Sequence, residues 1–323
     1  MSYNSLQSEL ITQLLLQETS GTTFADASGN ARTGTLSGST GLSTDTGPTS
    51  WLASAIKLDG TDDRIDVILS GFETSDFGVG CWSRSMVAIV RTLVSIADKD
   101  VVNQQHRINT TGGGDYSIST FDGSLAGADS TEDATGATWK FVSGNFTRTV
   151  SRELFVDGVS AALDETASSE TGFDRLTLGV TADSTPGGYS DGYHAGLELF
   201  PRALSAAEWL ERSLGPEPLN TVLPTLTINA TSFSGTVGTW DGQSNGTVTY
   251  AWELRNASDD SVVDSGTGSS ISGSGAFSGG YYLWVRASND GGHDADEDSI
   301  STTATVAASS YPFSFDLFAD QIF

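Results

Sequence analysis

The chain contains a single cysteine, Cys81, among its 323 residues. One thiol excludes an intramolecular disulfide framework and a cysteine-based zinc cluster. Cys81 is therefore predicted to pack as a small apolar residue. Histidines are nearly as scarce: His106, His194 and His293 are far apart and lack the spacing of metal ligands.

Basic residues and long hydrophobic runs are also scarce. The sequence has 15 lysines and arginines against 41 acidic residues, a formal net charge of −26. Such a surface repels phosphate backbones and anionic lipids, so we expect no nucleic-acid partner. Met1–Glu18 has an apolar cluster but no basic segment and no continuous apolar stretch. We therefore expect neither a signal peptide nor insertion into a membrane.

What the chain does have is the composition of a strand-and-turn protein. It carries 37 glycines and an aromatic set of 15 Phe, 8 Tyr and 7 Trp, enough bulky residues for sandwich cores. Short alternating segments end in Gly or Asp turns, and Ile65 and Val67 are predicted to face inward. The length allows two domains. Further strands are predicted at Gly80–Val90, Arg91–Ala97, Tyr116–Thr120, Trp139–Phe146, Glu153–Val156 and Leu176–Gly179.

The string GYSDGYHAGLELFPRALSAAEW combines a strand with the one convincing helix start in the sequence. Gly196–Phe200 alternates as a strand, and the proline after it has no N–H for the sheet ladder. Ser205 and Glu208 are spaced as a capping box, and Leu204 and Trp209 as the hydrophobic staple around it. The segment predicts a strand followed by a helix that packs back on the sheet.

Five motifs occur in order along the first two thirds of the chain: LLLQETSGTTFADASGNARTGTLSG, AIKLDGTDDRIDV, WKFVSGNF with ELFVDGV, LTLGV, and YSDGYHAGLELFPRALSAAEW. In this order they resemble the laminin-G/concanavalin-A-like jelly-roll family over residues 10–212. The resemblance implies a concanavalin-A-like jelly-roll sandwich for residues 1–212. The segment 98–138 departs most from the family pattern.

The remaining sequence resembles a second family. After a proline-containing linker at 213–224, the strings GTWDGQSNGTVTYAWEL and YYLWVRASNDGG resemble the Ig-like repeats of phage and bacterial surface proteins. A smaller Ig-like sandwich is expected at 225–307, with Trp252 as its central core tryptophan. The predicted fold class is thus all-β, with a jelly-roll sandwich, an Ig-like sandwich and a short aromatic C-terminal tail.

The aromatic tail, residues 308–323, belongs to neither sandwich. Its apolar side chains alternate with polar ones, as in a strand with one apolar face. One interpretation is an extra strand of the Ig-like domain, and the other is an assembly segment that adds to a neighbouring subunit. The residues of this predicted assembly segment are Tyr311, Phe313, Phe315, Leu317, Phe318 and Phe323.

Catalytic motifs are not found. Glycoside hydrolases of the concanavalin-like fold carry paired carboxylates in a Glu-x-Asp-x-x-Glu run, which this sequence lacks. Glu198 and Glu153 are isolated strand glutamates and are expected to be solvated surface residues. No nucleophile elbow, phosphate-binding loop or zinc motif is present. The sequence therefore predicts that the protein is not an enzyme.

Calcium is the cofactor that the resemblance implies, since laminin-G-like domains often hold Ca²⁺ with loop oxygens. Asp26 and Asn30 in ADASGN, and Asp59, Asp62 and Asp63 in LDGTDD, could supply those oxygens. The alternative is that these residues serve turns by bonding to their own backbone.

Bound sugar is expected on rim side chains, of which the candidates are Tyr189, Tyr193, His194 and Trp51. We predict a non-enzymatic structural or display protein of a virion surface, as a phage capsid decoration, head fibre or tail-fibre component. It would assemble with itself or with other virion proteins and bind host-surface glycans. The alternatives are a bacterial surface or extracellular carbohydrate-binding adhesin, and a glycoside hydrolase or lyase.

Overall fold

The computed structural model describes residues 3–38, 43–72, 76–84, 86–102, 104–122, 124–147, 150–167, 172–216, 219–222, 224–241, 246–289 and 299–305. The chain divides into two compact units, with the boundary between Glu217 and Pro218. We call them unit 1 and unit 2. Within the described residues, no helix combines the length and apolar character needed to cross a membrane. The predicted assembly segment, 308–323, lies outside these residues.

Unit 1 is built from strands that form two antiparallel sheets of eight strands each among the described residues. The strands are β1 Thr12–Leu14, β2 Thr23–Phe24, β3 Gly34–Ser37, β4 Ser43–Thr46, β5 Ser54–Asp59, β6 Arg64–Ile68, β7 Asp76–Arg84, β8 Thr92–Ala97, β9 Gln104–Thr110, β10 Asp115–Asp122, β11 Leu125–Asp133, β12 Lys140–Thr147, β13 Ser151–Val156, β14 Val159–Asp164, β15 Arg175–Leu178 and β16 Asp191–Phe200. Its helices are α1 Tyr3–Gln7 and α2 Ala206–Leu214.

The two sheets have different strand orders. Sheet A runs β14-β13-β12-β7-β16-β5-β4, with β1 paired beside β16. Sheet B runs β11-β10-β9-β8-β15-β6-β3-β2. This architecture confirms the predicted all-β class.

The space between the sheets is filled by one apolar core. Ile65 and Val67 of β6 are buried in it, as predicted from their alternation. Leu197 and Leu199 of β16 lie in the same core. Cys81 is buried there as well, which confirms its expected role as a small apolar residue.

The outer face of sheet A is covered by a second apolar cluster that includes residues from both helices. The capping box forms as predicted: Ser205 Oγ accepts from Glu208 N at 3.3 Å, and Glu208 Oε2 accepts from Ser205 N at 2.8 Å. Leu204 and Trp209, the predicted staple, are both buried in this cluster. Sheet A is therefore enclosed on both faces, and sheet B is enclosed on one.

Several predicted boundaries differ from the structure. The strand expected at Gly80–Val90 runs from Asp76 to Arg84 instead. It ends there because the chain leaves sheet A: Met86 N donates to Ala134 O, after β11 of sheet B, at 3.0 Å. The segment 213–224 is not simply a linker: α2 continues to Leu214, and Leu219–Val222 is a strand. Helix α1 was not predicted. The segment 98–138 contains β9, β10 and β11, which pair in sequence order.

Unit 2 is a smaller antiparallel β-structure with a core of its own. Its described residues form sheets of two, three and four strands, in the orders β17-β20, β18-β19-β23 and β22-β21-β24-β25. Trp252 lies in the core, as predicted, with its ring centroid 6.2 Å from that of Phe233. The strands are β17 Leu219–Val222, β18 Thr225–Ile228, β19 Ser232–Thr236, β20 Thr239–Asp241, β21 Thr249–Asn256, β22 Val262–Thr267, β23 Ser270–Ser274, β24 Gly280–Ser288 and β25 Ser299–Thr305.

Candidate functional site

The outward face of sheet B is polar. Directly paired residues of neighbouring strands point to the same face of a sheet, and alternate residues point to the other. Pairing across β3, β6, β15, β8, β9 and β10 places a row of polar side chains on this face: Thr35, Asp66, Thr177, Ser95, Arg107 and Ser119. We call this surface the polar face.

A depression of about 390 Å³ opens on the polar face over β9, β10 and β11. We call it the hairpin depression. Arg107 Nε donates to Ser119 Oγ at 2.9 Å, and Ser119 Oγ donates to Asn109 Oδ1 at 2.9 Å. These bonds fix the polar floor before any ligand arrives. Val90 and Leu125, which are 57% and 61% exposed, add apolar surface to the lining.

The loop that follows β15 lies over the middle of the polar face. Ala182 N donates to Ser95 Oγ at 3.1 Å, so the loop is fastened to β8. Asp183 of this loop is buried. Its charge interacts with that of Arg107, which lines the hairpin depression. Burial lowers the pKa of Arg107, and the Asp183 charge offsets only part of that shift. The loop therefore separates the two ends of the face.

A second depression, of about 630 Å³, opens on the other side of this loop. Arg32 and Arg175 line it, together with Asp66 and the exposed side chain of Ile68. We call it the arginine depression. Asp66 Oδ2 accepts from Arg64 Nε at 2.9 Å. Two buried polar atoms of this region, Arg175 Nε and Asp66 Oδ1, have no hydrogen-bond partner among the described residues.

The two tyrosines predicted to contact sugar lie apart, one in the loop before β16 and one in β16 itself. Tyr189 lies beside Arg64, at the polar face. Burial lowers the pKa of Arg64, but Asp66 and Tyr189 outweigh it and raise that pKa above its ordinary value. Tyr193 belongs to β16 of sheet A, where the Arg84 guanidinium lies 4.7 Å from its ring centroid. The structure therefore does not bring the predicted residues together into one site.

The other two predicted sugar residues are enclosed to a greater extent. His194 was a candidate for a sugar contact at a loop rim, with packing or plain exposure as the alternatives, and its fully buried side chain fits packing. Its Nε2 lies 3.0 Å from Ser190 Oγ. Trp51 packs edge-on to Tyr3 with ring centroids 5.6 Å apart, beneath the second apolar cluster. Neither side chain lines the described depressions.

The predicted calcium residues fall in two turns. Asp26 accepts backbone N–H bonds from Gln13 at 2.9 Å and from Arg32 at 2.8 Å. Burial raises the pKa of Asp26, but these bonds lower it below its ordinary value. Asn30 Nδ2 donates to Leu10 O at 2.8 Å. These contacts fit the alternative role of closing the turn.

Asp59, Asp62 and Asp63 do form a cluster. One carboxylate oxygen of each lies within 4.8 Å of the others. Asp59 Oδ1 accepts the backbone N–H of Thr61 at 2.9 Å. A hard cation such as Ca²⁺ prefers such oxygen donors, so these three residues fit the predicted ion.

A second acidic cluster, which the sequence did not reveal, joins Asp98, Asp100 and Asp174. Lys99 lies among these carboxylates, with its Nζ 3.4 Å from Asp174 Oδ2 and in contact with Asp100. The ammonium group supplies the positive charge that a metal ion would otherwise bring. This cluster is therefore a poorer candidate for calcium than the one at Asp59.

Glu198 is not the solvated residue that was expected. Its side chain is buried, and Arg212 Nε donates to its Oε2 at 2.9 Å. The strand carries Glu198 to the outer face of sheet A, where α2 covers it. A carboxylate held by an arginine and closed to solvent has no access to a polysaccharide. The prediction of a surface glutamate was wrong, and the residue is structural.

Sequence reasoning missed the hairpin depression, although a signal was present. In QQHRINT, polar Gln105, Arg107 and Asn109 alternate with residues that face the core. In YSIST, Ser117 and Ser119 do the same. These strings lie in the part of the chain that departs from the family pattern. The resemblance therefore offered no motif that drew attention to them.

No family model and no curated protein matches the chain. Solved structures with a similar fold include the following two. Domain 4 of a GH43 extracellular arabinanase from Geobacillus stearothermophilus, in complex with arabinotriose, aligns with a TM-score of 0.51 and 15% identity over 64% of this chain and 98% of that domain. The binding domain of Paraclostridial Mosquitocidal Protein 1 aligns with a TM-score of 0.52 and 14% identity over 87% of this chain and 64% of that one. At these identities the likeness shows the β-sandwich fold alone.

Proposed function

We propose that the protein binds carbohydrate through the polar face of sheet B and performs no catalysis. The observation that carries the proposal is the pair of open depressions, lined by polar side chains, at the two ends of this face. The two similar structures support it by their own descriptions. One is a domain in complex with arabinotriose, and the other is the binding domain of a mosquitocidal protein.

The hairpin depression suits a sugar because it offers both kinds of contact that sugars make. Arg107, Asn109 and Ser119 hold their hydrogen-bonding groups in fixed positions, which lowers the entropy that binding must overcome. Val90 and Leu125 offer apolar surface for the C–H face of a sugar ring. Binding a sugar requires only such polar and apolar contacts and no catalytic side chain.

A catalytic role would need carboxylates that reach the substrate. Glu198, the glutamate nearest the centre of sheet A, is instead paired with Arg212 and closed to solvent. This pairing favours the non-enzymatic interpretation over a glycoside hydrolase or lyase. Release of reducing ends from a panel of polysaccharides would contradict it.

The wider proposal is that the chain is displayed on a virion surface as a phage capsid decoration, head fibre or tail-fibre component. It is supported by the resemblance of unit 2 to Ig-like repeats of phage and bacterial surface proteins and by the net charge of −26, which suits dense display. Its partners would be copies of itself or other virion proteins, through the assembly segment. A bacterial surface or extracellular adhesin is the alternative.

The proposal also includes a calcium ion that is bound by the carboxylates of Asp59, Asp62 and Asp63. A bound ion would supply positive charge that holds the three carboxylates together and stiffens the turn between β5 and β6. It would act on the stability of this turn.

The test is a screen of the full chain against an array of neutral and acidic glycans, with variants on the two sheets. Asn109→Ala removes one of the polar side chains of the hairpin depression. For a glycan that binds in the array, we expect this variant to raise the dissociation constant about tenfold, because losing one buried hydrogen bond costs about 1.4 kcal/mol. Tyr193→Ala on sheet A is expected to leave it unchanged. Loss of binding in Tyr193→Ala with full binding in Asn109→Ala would move the site to sheet A and contradict the proposal.

A further inference from the structure

Several arginines of this protein lie on the polar face. The whole sequence has 15 lysines and arginines against 41 acidic residues. Arg32 and Arg175 line the arginine depression, Arg64 borders it, and Arg107 belongs to the hairpin depression. A protein of net negative charge thus carries three guanidinium groups, those of Arg32, Arg64 and Arg175, at one depression.

The charge balance within the arginine depression is positive. Two arginines, Arg32 and Arg175, line it against a single carboxylate, that of Asp66. That carboxylate is already paired, because Asp66 Oδ2 accepts from Arg64 Nε at 2.9 Å. Arg32 Nη2 donates to the backbone oxygen of Ser70 at 3.2 Å, a neutral acceptor that leaves its charge uncompensated. The depression therefore attracts a negative group.

The depression also holds polar atoms that await a partner. Arg175 Nε is buried and makes no hydrogen bond to any of the described residues, and the same is true of Asp66 Oδ1. Leaving such buried atoms unpaired is unfavourable. A ligand that fits must offer an anionic acceptor to Arg175 and a hydroxyl donor to Asp66. An acidic sugar carries both groups on one ring.

We infer that the arginine depression binds the anionic group of an acidic polysaccharide, either a uronate carboxylate or a sulfate ester. The inference rests on the proposed function and narrows its ligand to a chemical class. Planar guanidinium groups recognise both anions through paired N–H donors. The volume of about 630 Å³ falls in the range of sites for small ligands and admits a sugar ring with its charged substituent.

Three polysaccharides separate the two anions from sugar binding as such. Polygalacturonate presents carboxylates, dextran sulfate presents sulfate esters, and linear arabinan is neutral. The dissociation constant of the full-length protein for each would be measured by biolayer interferometry. We expect one or both of the acidic polymers to bind more tightly than arabinan, and the tighter of them identifies the anion.

Variants then locate the binding. Arg175→Gln is expected to weaken binding of the acidic polymer at least tenfold, and Arg175→Lys, which keeps the charge, should retain more of it. Arg84→Gln, on sheet A, serves as the matched control and should change nothing. Circular dichroism and thermal unfolding of each variant establish that the fold is kept.

The outcomes distinguish the inference from the proposed function. If arabinan and the acidic polymers bind equally and Arg175→Gln has no effect, the inference is overturned while glycan binding stands. Loss of acidic binding in Arg84→Gln alone also overturns it. If neither acidic polymer binds at any concentration tested, the inference is overturned, and the proposed function fails with it only if the glycan array also shows no binding.

Discussion

Arg212 on α2 and Glu198 on β16 form an ion pair that is closed to solvent, with Arg212 Nε donating to Glu198 Oε2 at 2.9 Å. Gln13 Nε2 donates to the other oxygen of Glu198 at 2.8 Å. The Arg212 guanidinium also lies over the ring of Tyr3, 3.6 Å from its centroid. One charged pair therefore links the N-terminal helix, β1 and α2 to the centre of sheet A.

Breaking this pair should destabilise unit 1 strongly. Arg212→Met leaves the Glu198 carboxylate buried without its counter-charge, and such losses cost about 3–5 kcal/mol. Chemical denaturation followed by tryptophan fluorescence would give the free energy of unfolding. Arg84→Met is the control, because Arg84 and Asp45 form a partly exposed pair worth about 1 kcal/mol or less. If both substitutions lowered the free energy of unfolding equally, burial would not make the Glu198 pair more important for stability than the exposed pair.

The Arg212 pair also shows what sequence could not reveal. The capping box of Ser205 and Glu208 was predictable, because the two residues lie three positions apart and need only helical geometry. Glu198 needs partners from α2 and from the N-terminal segment, and Gln13 is 185 residues away. The sequence predicted that the helix packs back on the sheet, but not that it would cover Glu198 and pair it with Arg212.

The same limit applies to the polar face. Alternation around Arg107 and Ser119 was visible in the sequence, but the order of strands in sheet B was not. Asp66 and Thr177 come from distant parts of the chain and meet only because β6 and β15 pair. Local periodicity thus predicts which side chains share a face, and the topology decides which faces join into a site.

The capping carboxylate should make helix α2 sensitive to acid. Hydrogen bonds from Arg202 lower the pKa of Glu208 to about 2. Because the folded pKa is depressed, the stabilisation is fully present above about pH 4.5 and is lost as the pH falls towards 2. Glu208→Gln keeps a capping side chain but loses the ion pair with Arg202, and is therefore expected to cost about 1 kcal/mol at pH 7. Urea denaturation of both proteins between pH 7 and pH 2 should show this difference shrink, and a difference constant over that range would contradict the linkage.

The buried histidines should remain neutral at mildly acidic pH. Burial lowers the pKa of His194 to about 3, and burial together with the Arg152 charge lowers that of His106 to about 3. The folded state thus binds fewer protons than the unfolded state below about pH 6.5, so the free energy of unfolding falls as the pH drops. NMR of the imidazole side chains should show two histidines that do not titrate between pH 8 and pH 5. In urea all three histidines should titrate near pH 6.5. If His194 of the folded protein also titrated with a midpoint near pH 6.5, this would contradict its burial.

Calcium should stabilise the turn at Asp59, Asp62 and Asp63. Saturation at about 100 times the dissociation constant would add about 2.7 kcal/mol, which appears as a rise in the melting temperature. Asp62→Asn should abolish this rise, because it removes one anionic ligand. Asp100→Asn, in the cluster that contains Lys99, should keep it. The unaltered protein would first be treated with a chelator and then given calcium. If its melting temperature does not change, these aspartates only form hydrogen bonds within the turn and bind no calcium.

The aromatic C-terminal tail gives the most direct test of assembly. In residues 308–323, Phe313, Phe315 and Leu317 alternate with polar residues, so an exposed strand would present one apolar face. Such a strand left in water favours pairing with another chain. Multi-angle light scattering should therefore show an oligomer for the full chain and a monomer for a chain that ends at Ala308. A full-length Phe313→Ser, Phe315→Ser variant controls for the loss of the backbone and should also be monomeric. If all three proteins are monomers, the segment is an extra strand of unit 2, and the proposal that the protein assembles through it fails.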